Sequence, residues 1–407
     1  MNNFTVYYQT KDKLFKTLNY KYGIIKTIYH LPYDINRFYL TKGYEANDTD
    51  LKRYATDLYN ASNELLTTKL INFEYTKEFL KRDNNYLYRS HTTNIEAIFK
   101  MATKASLYTH QTITLVESNY FEKCYNAGLM YCYPGIYNCY GYDFKMFYAE
   151  ILQCKNFRIP TEPGEQVFIN NIDDIKEFGF YHVEITSTDP NVNKVFSFSK
   201  DNIYFINDIK FVMDTLIKKY QFKITIKLIT NVKYNALIYD KKCLISGSKI
   251  FKKWYTLLCD LKKEFPKNML IKMLSSSLWG HLSKYNVIRK TENEIEKEDL
   301  SIGMTDKADY IIVDKIFKKN DEVYYKLVSS KQPYKYNIRL KPFVTSYGRI
   351  KTALVALKNI DHVVRIHTDG IVFDEPLNHE VIPNLIVEEK TTGYIKFNNI
   401  KNYEKVK

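Results

Sequence analysis

The chain of 407 residues is long enough to bury a sizeable core and to divide into two or three domains. Its 45% hydrophobic and 15% aromatic content excludes a disordered chain, and no uninterrupted apolar run approaches the 18 or so residues of a membrane-spanning helix. The 60 Lys+Arg against 46 Asp+Glu leave a formal charge of +14, which favours a polyanionic partner such as nucleic acid.

The start, MNNFTVYYQTKDKLFK, has no apolar signal region, so the chain is expected to be soluble and unsecreted. Cys124, Cys132, Cys139, Cys154, Cys243 and Cys259 form no C-x-x-C pair and read as reduced, mostly buried thiols. Tyr, Lys, Asn and Ile are abundant while Gly, Pro and Trp are scarce, a bias that fits an AT-rich genome.

The first 120 or so residues mix short strands and helices: FTVYYQT, then LKRYATDLYNASNELLTTKLI, then NIEAIFKMATKAS. YNAGLMYCYPGIYNCYGYDF is strand-like and turn-rich and runs into GYDFKMFYAEIL. There Asp143 follows an apolar, Tyr-rich segment, and Phe144, Phe147, Tyr148 and Ile151 recur at helical spacing. FGFYHVEITS reads as a further strand of the same sheet. The next stretch alternates helical NDIKFVMDTLIKKY with strand-like FKITIKLI and YNALIYD.

Two helix patterns follow, SKIFKKWYTLLCDLKKEF and PKNMLIKMLSSSLWGHLSKY, with Pro266 placed to open the second. In the second, Lys272, Ser276 and Trp279 fall at i, i+4 and i+7 and share one helical face. Lys252, Lys253, Lys262 and Lys263 of the first read as a solvated face, with a triphosphate contact as the alternative. An acidic linker, TENEIEKEDL, leads into strand-rich YIIVDKIF, EVYYKLVSS and YNIRLKPFV, and then a helix, TSYGRIKTALVALKN.

That helix precedes VVRIHTDGIVFDE, in which Asp-Gly lies between two apolar, β-prone runs. This is a strong local hairpin signal, and it places Asp369 at an exposed tip. A strand, TTGYIKF, and then Lys401-Asn402-Tyr403 complete the pattern.

In that order, GYDFKMFYAEIL, IKMLSSSLWGHLSK and VVRIHTDGIVFDE resemble motifs A, B and C of family B DNA polymerases: D-x-x-x-L-Y-P, K-x-x-x-N-S-x-Y-G and D-T-D. Tyr125-Asn126-Ala127-Gly128 is similar to the Y-x-G-G link of the protein-primed branch, with Ala127 in place of its first Gly, and Lys401-Asn402-Tyr403 is similar to its K-x-Y.

The resemblance implies an α+β polymerase right hand, with an antiparallel-sheet palm, helical fingers, a reduced or absent thumb and an additional N-terminal α/β region. Its parts would be an N-terminal region over 1–124, palm over 125–189 with motif A, an insertion over 190–247, and fingers over 248–285 with motif B. A strand-rich connector over 286–345 and the second part of the palm over 346–407 with motif C would follow. Asp143 and Asp369 would be the catalytic metal ligands, joined by the Phe144 carbonyl, for two Mg²⁺ or Mn²⁺ ions. Lys272 would sit beside the triphosphate, Ser276 replaces an Asn on the same face, and Trp279 replaces the Tyr near the nascent base pair. Tyr148 would lie under the sugar and exclude a 2′-OH. Lys396, Lys401 and Tyr403 would steady the primer strand.

The implied activity is template-directed DNA synthesis in viral, phage or plasmid replication, in a host cytoplasm. DNA template and primer, dNTPs and a terminal priming protein would be its partners. No Asp-x-Glu occurs before Asp143, so a proofreading exonuclease is expected to be absent. Ala149 for Pro, Ser276 for Asn, Trp279 for Tyr and His367 for the first Asp of motif C depart from the pattern. They keep open a second reading, a catalytically degenerate polymerase fold that binds nucleic acid or serves as a replication scaffold. A reverse transcriptase is disfavoured, because Gly370 follows Asp369 where adjacent aspartates are needed.

Overall fold

The computed structural model describes the strands within residues 1–39, four helical positions between 95 and 103, and residues 110–406 apart from 125–126, 265, 267–268, 298–309, 318–322 and 378–381. The helix expected over LKRYATDLYNASNELLTTKLI lies outside them, as do Tyr125 and Asn126. Two compact units divide the chain, 1–106 with 250–281 and 107–249 with 282–407.

The first unit holds a four-stranded sheet in the order Ile24–Ile28, Phe15–Asn19, Thr5–Gln9, Phe38–Tyr39, with the last pair parallel. Its described helices are those expected. On the helix Gly247–Glu264, Phe251, Trp254, Leu258 and Leu261 recur at helical spacing and are buried, while Lys252, Lys253 and Lys263 are exposed. Phe99 packs its ring at 5.5 Å from Phe251 and edge-on at 5.7 Å from Trp254. The helix Met269–Leu282 buries Ile271, Leu274 and Leu278.

The second unit is built on a seven-stranded antiparallel sheet. Its order is Tyr403–Lys405, Gly393–Phe397, Gly135–Phe144, Gly370–Phe373, Val363–His367, Met130–Cys132, with Leu385–Val387 also pairing Gly135–Phe144. Strand alternation gives this sheet two faces. On one, Cys139, Val364, Val372, Ile395 and Phe397 form a buried cluster against which Cys132, Tyr137 and Tyr403 pack. On the other, Phe373 is buried against the ring of Tyr142, 6.0 Å away.

FGFYHVEITS does not join this sheet. Gly179–Ser187 is the centre of a separate five-stranded antiparallel sheet with Ile203–Phe205, Ile224–Leu228, Ala236–Ile238 and Glu165–Val167. The physical reason is proximity: the following segment supplies three strands, and strands near in sequence pair most readily. Phe343 sits among Phe178, Phe180, Phe205 and Tyr239, with ring centroids 5.0–6.1 Å away, and so joins this sheet to the helix Lys341–Ala356. The fully buried rings among them, Phe180, Phe205, Tyr239 and Phe343, each contribute about 1.5–3 kcal/mol, while Phe178 is half-buried and contributes less.

Two further expectations are corrected. TENEIEKEDL is not only a linker: Glu292–Lys297 is a short helix, opened by a capping box in which the Thr291 amide donates to Glu294 Oε2 at 2.7 Å and the Glu294 amide to Thr291 Oγ1 at 3.2 Å. YNIRLKPFV is not a strand. The long helix begins at Lys341 rather than Thr345, because Pro342 suits a first turn and Arg339 is drawn into a buried ion pair just before it.

Candidate active site

Asp143 lies near the end of the strand Gly135–Phe144, which leads through a two-residue turn into the helix Phe147–Gln153. Met146 takes φ 52° at the entry to that helix. The hairpin strand Gly370–Phe373 pairs with Gly135–Phe144 in a register that sets Gly370 directly opposite Asp143. The Phe144 amide donates to the Asp369 carbonyl at 3.2 Å. The backbone at Asp143 and Phe144 therefore lies beside the hairpin turn that carries Asp369, although 225 residues separate the two aspartates in sequence. A methyl group at Gly370 would sit 3.5 Å from Asp143 Oδ1, an ordinary van der Waals contact, so the buried glycine lies directly alongside the carboxylate.

The hairpin turn differs in detail from expectation. His367 pairs with Gly370, so the turn residues are Thr368 and Asp369, and positive φ falls on Thr368 at 61°. Gly370 is a strand residue, and Asp369 is half-buried rather than at an exposed tip.

Register and alternation place His367, Gly370 and Asp143 on one face, with Arg365 two positions along. The His367 imidazole is held below its ordinary pKa by burial first and then by the cations Arg365, Lys401 and Lys390, against an opposing Glu388. Lys390 is held above its ordinary value by its hydrogen bond to Glu388, with Asp143 adding to the effect. Arg365, only 6% exposed, donates through Nε to the Ile400 carbonyl at 2.8 Å and lies 5.0 Å over the Tyr403 ring. His367 and Asp143 thus stand near cations of the kind that attract phosphate.

Lys401 follows a turn in which Asn399 Oδ1 accepts from the amides of Lys401 and Asn402, both at 2.9 Å. Lys396 projects from the opposite face, paired with Glu404. Tyr148 packs against Phe147 with ring centroids 5.1 Å apart, and a methyl group at Gly348 would meet both rings, at 3.2 Å and 3.1 Å. Lys351 ties to Glu150 at 2.6 Å and lies 4.7 Å over the Phe144 ring.

Lys272, Ser276 and Trp279 belong to the other compact unit. Lys272 and Ser276 are exposed, and Ser276 Oγ donates to the Lys272 carbonyl at 3.0 Å, so the two lie one turn apart on the same helical surface. Trp279 is half-buried.

Arg365 and Lys390 were not singled out from the sequence. A usable signal for Arg365 existed: a charge inside an apolar strand run, two residues before His367, must share its face. Lys390, in a short 3-10 turn, had none.

The donor set fits a hard divalent cation. One carboxylate from a strand, one from the adjoining hairpin turn and a neighbouring carbonyl suit Mg²⁺, which keeps few protein ligands and completes its shell with water and phosphate oxygens. Among the described residues, no group of three or more His, Cys, Asp or Glu side chains forms a self-sufficient metal cage.

No protein-family profile matches the chain, and no curated protein does. Among solved structures it is similar to Phi29 DNA polymerase complexed with primer-template DNA and incoming nucleotide substrates, at 14% identity and a TM-score of 0.53 over 78% of this chain and 55% of that one. The same polymerase in its post-translocation binary complex with primer-template DNA gives 15% identity and a TM-score of 0.51, over 83% of this chain and 57% of that one. Its complex with single-stranded DNA gives 13% and 0.51. The chain spans little more than half the length of these solved chains. The likeness is one of fold, and that fold is a DNA polymerase's.

Proposed function

We propose that this chain is a template-directed DNA polymerase that transfers a nucleotide from a dNTP to a primer 3′-OH or a protein hydroxyl. The observation that carries the reading is the strand register that sets Gly370 against Asp143 and brings Asp369 beside Phe144. Asp143, Asp369 and the Phe144 carbonyl would hold two Mg²⁺ or Mn²⁺ ions. Bound there, the ions would lower the pKa of the attacking hydroxyl and neutralise charge on the leaving group.

The chain's own side chains then orient and attract. Arg365, Lys390 and Lys401 would draw the DNA backbone toward the carboxylates, and Tyr403, braced on Arg365, would steady the primer. Lys396 would contact the strand from the other face of the same strand pair. Lys272 would neutralise the triphosphate, with Ser276 and Trp279 on the same helical surface, and Tyr148 would bar a 2′-OH. By its motif resemblance the chain belongs nearest the protein-primed viral, phage and linear-plasmid branch, with a terminal protein as partner and without proofreading.

A second reading rests on His367. An imidazole there supplies a nitrogen that suits Mg²⁺ poorly where the family has a carboxylate, which favours a binding protein that has lost catalysis. Deoxynucleotide incorporation on a primed template with Mg²⁺ or Mn²⁺ separates the two. Wild type should extend the primer, and Asp143→Asn and Asp369→Asn should each abolish extension. Extension that survives both substitutions refutes the site, and none in wild type selects the binding reading.

A further inference from the structure

Threonine at positive φ is unfavourable, because its branched Cβ crowds the following carbonyl at a cost of about 1–2 kcal/mol. Thr368 adopts that conformation immediately before Asp369, so its neighbours must hold it there. Three contacts do so. The Thr368 amide donates to the Leu129 carbonyl at 2.8 Å. The Thr368 carbonyl accepts from Thr352 Oγ1 at 2.8 Å. The residue also seats on Gly128, where an added Cβ would come within 2.9 Å of Thr368 Cα and nearer still to its side chain.

Thr352 is fully buried in the helix Lys341–Ala356. A helical threonine ordinarily returns its hydroxyl to its own helix, as Thr345 does to the Lys341 carbonyl at 3.0 Å. Thr352 spends its hydroxyl on the hairpin instead. The helix carrying it is anchored by Arg349, which donates twice to the Asp208 carboxylate at 3.0 Å and once to the Ala127 carbonyl at 3.3 Å, one residue before the Gly128 seat.

We propose that Thr352, with Gly128, is the positioning element that fixes the turn at Thr368 and so aims the Asp369 carboxylate at the metal it shares with Asp143. This rests on the reading of Asp369 as a metal ligand. The geometry gives both residues a reason: Gly128 is small where the turn approaches most closely, and Thr352 supplies a hydroxyl where the unfavourable residue offers its carbonyl.

The test measures Mn²⁺ binding to the full chain by electron paramagnetic resonance, alongside Mn²⁺-dependent primer extension. Thr352→Val keeps the shape and removes the donor. Thr352→Ser keeps the donor. Loss of a group that orients a ligand typically weakens metal binding by 10–100-fold, so Thr352→Val should raise the Mn²⁺ half-saturation concentration about tenfold, and Gly128→Ala similarly. Thr352→Ser should remain near wild type. Wild-type Mn²⁺ affinity in Thr352→Val, or equal impairment in Thr352→Ser, overturns the proposal. Should Thr352→Val fail to fold, Gly128→Ala decides by the same readout, with unchanged affinity overturning it. Equal binding by wild type and Asp369→Asn removes the metal site and the positioning role with it. A wild type that binds Mn²⁺ through Asp369 yet extends no primer refutes the polymerase reading alone, and the positioning role is still decided by the affinities.

Discussion

Arg339 grips Glu117 at two points, Nε to Oε1 at 2.7 Å and Nη2 to Oε2 at 2.9 Å, with both side chains fully buried. Nη1 also donates to the Gln111 carbonyl and Nη2 to the Thr112 carbonyl, and Tyr239 donates its hydroxyl to Glu117 at 2.9 Å. Each guanidinium nitrogen and both carboxylate oxygens are therefore hydrogen-bonded, and removing one partner strands the other charge. Arg339→Met should cost about 3–5 kcal/mol, read as a lower urea midpoint. Pairing it with Glu117→Leu should recover most of the loss. Equal destabilisation by the single and double variants would show that lost packing, not the stranded carboxylate, sets the cost.

The same cluster shows why parts of the fold were illegible in the sequence. Arg339 and Glu117 lie far apart in the chain, and neither has a neighbour that marks it as buried. Periodicity read the helices well where one face is apolar, as with Phe251, Trp254, Leu258 and Leu261. Asp143 and Asp369 could be singled out because each ends or interrupts a β-prone run, a local pattern. Which sheet Gly179–Ser187 joins, and where Thr352 sends its hydroxyl, depend on long-range pairing that local patterns do not encode. Gly370 illustrates a subtler miss: Asp-Gly correctly signalled a hairpin, but the left-handed residue is Thr368 and the glycine is instead a buried strand residue beside Asp143.

Stability should fall in mild acid through His110. This side chain is 4% exposed, its Nδ1 has no hydrogen-bond partner among the described residues, and burial, then the neighbouring Arg339, hold its pKa at about 4. A histidine with a depressed folded-state pKa is stable as the neutral ring. The unfolded chain, with a pKa near 6.5, binds the proton first, so stability is fully present above about pH 6.5 and is lost as pH falls toward 4. The loss approaches about 3 kcal/mol, and His110→Gln should lack it. Urea unfolding at pH 7 and pH 4.5 checks this: an unchanged stability difference between the two proteins would exclude His110 as the source.

DNA affinity should carry the signature of the cations around His367. If Lys390 and Lys401 each neutralise one phosphate, Lys390→Ala with Lys401→Ala should reduce the slope of log affinity against log salt by about 2, since each contact contributes about 0.9 on duplex DNA. Lys396→Ala should change it less, because Lys396 leaves from the opposite face beside Glu404. Fluorescence anisotropy across a salt series measures all three slopes. A larger change for Lys396 would make its own face of that strand pair, not the His367 face, the main DNA contact.

Sugar discrimination should depend on how tightly Tyr148 is seated. Its ring is packed edge-on against Phe147, and Gly348 of the long helix leaves room for both rings. Removing the ring with Tyr148→Ala should raise ribonucleotide over deoxynucleotide incorporation roughly tenfold in relative kcat/KM, about 1.4 kcal/mol of lost discrimination. Gly348→Ala acts in the other direction. A methyl group 3.2 Å from a Tyr148 ring carbon and 3.1 Å from a Phe147 ring carbon obliges both to give by a few tenths of an ångström. The displaced ring should crowd the incoming nucleotide, raising KM for dNTP roughly two- to fivefold with kcat nearly unchanged. Single-nucleotide extension with matched dNTP and rNTP reports both effects, and unchanged sugar selectivity in Tyr148→Ala would remove the ring from the sugar's side of the site.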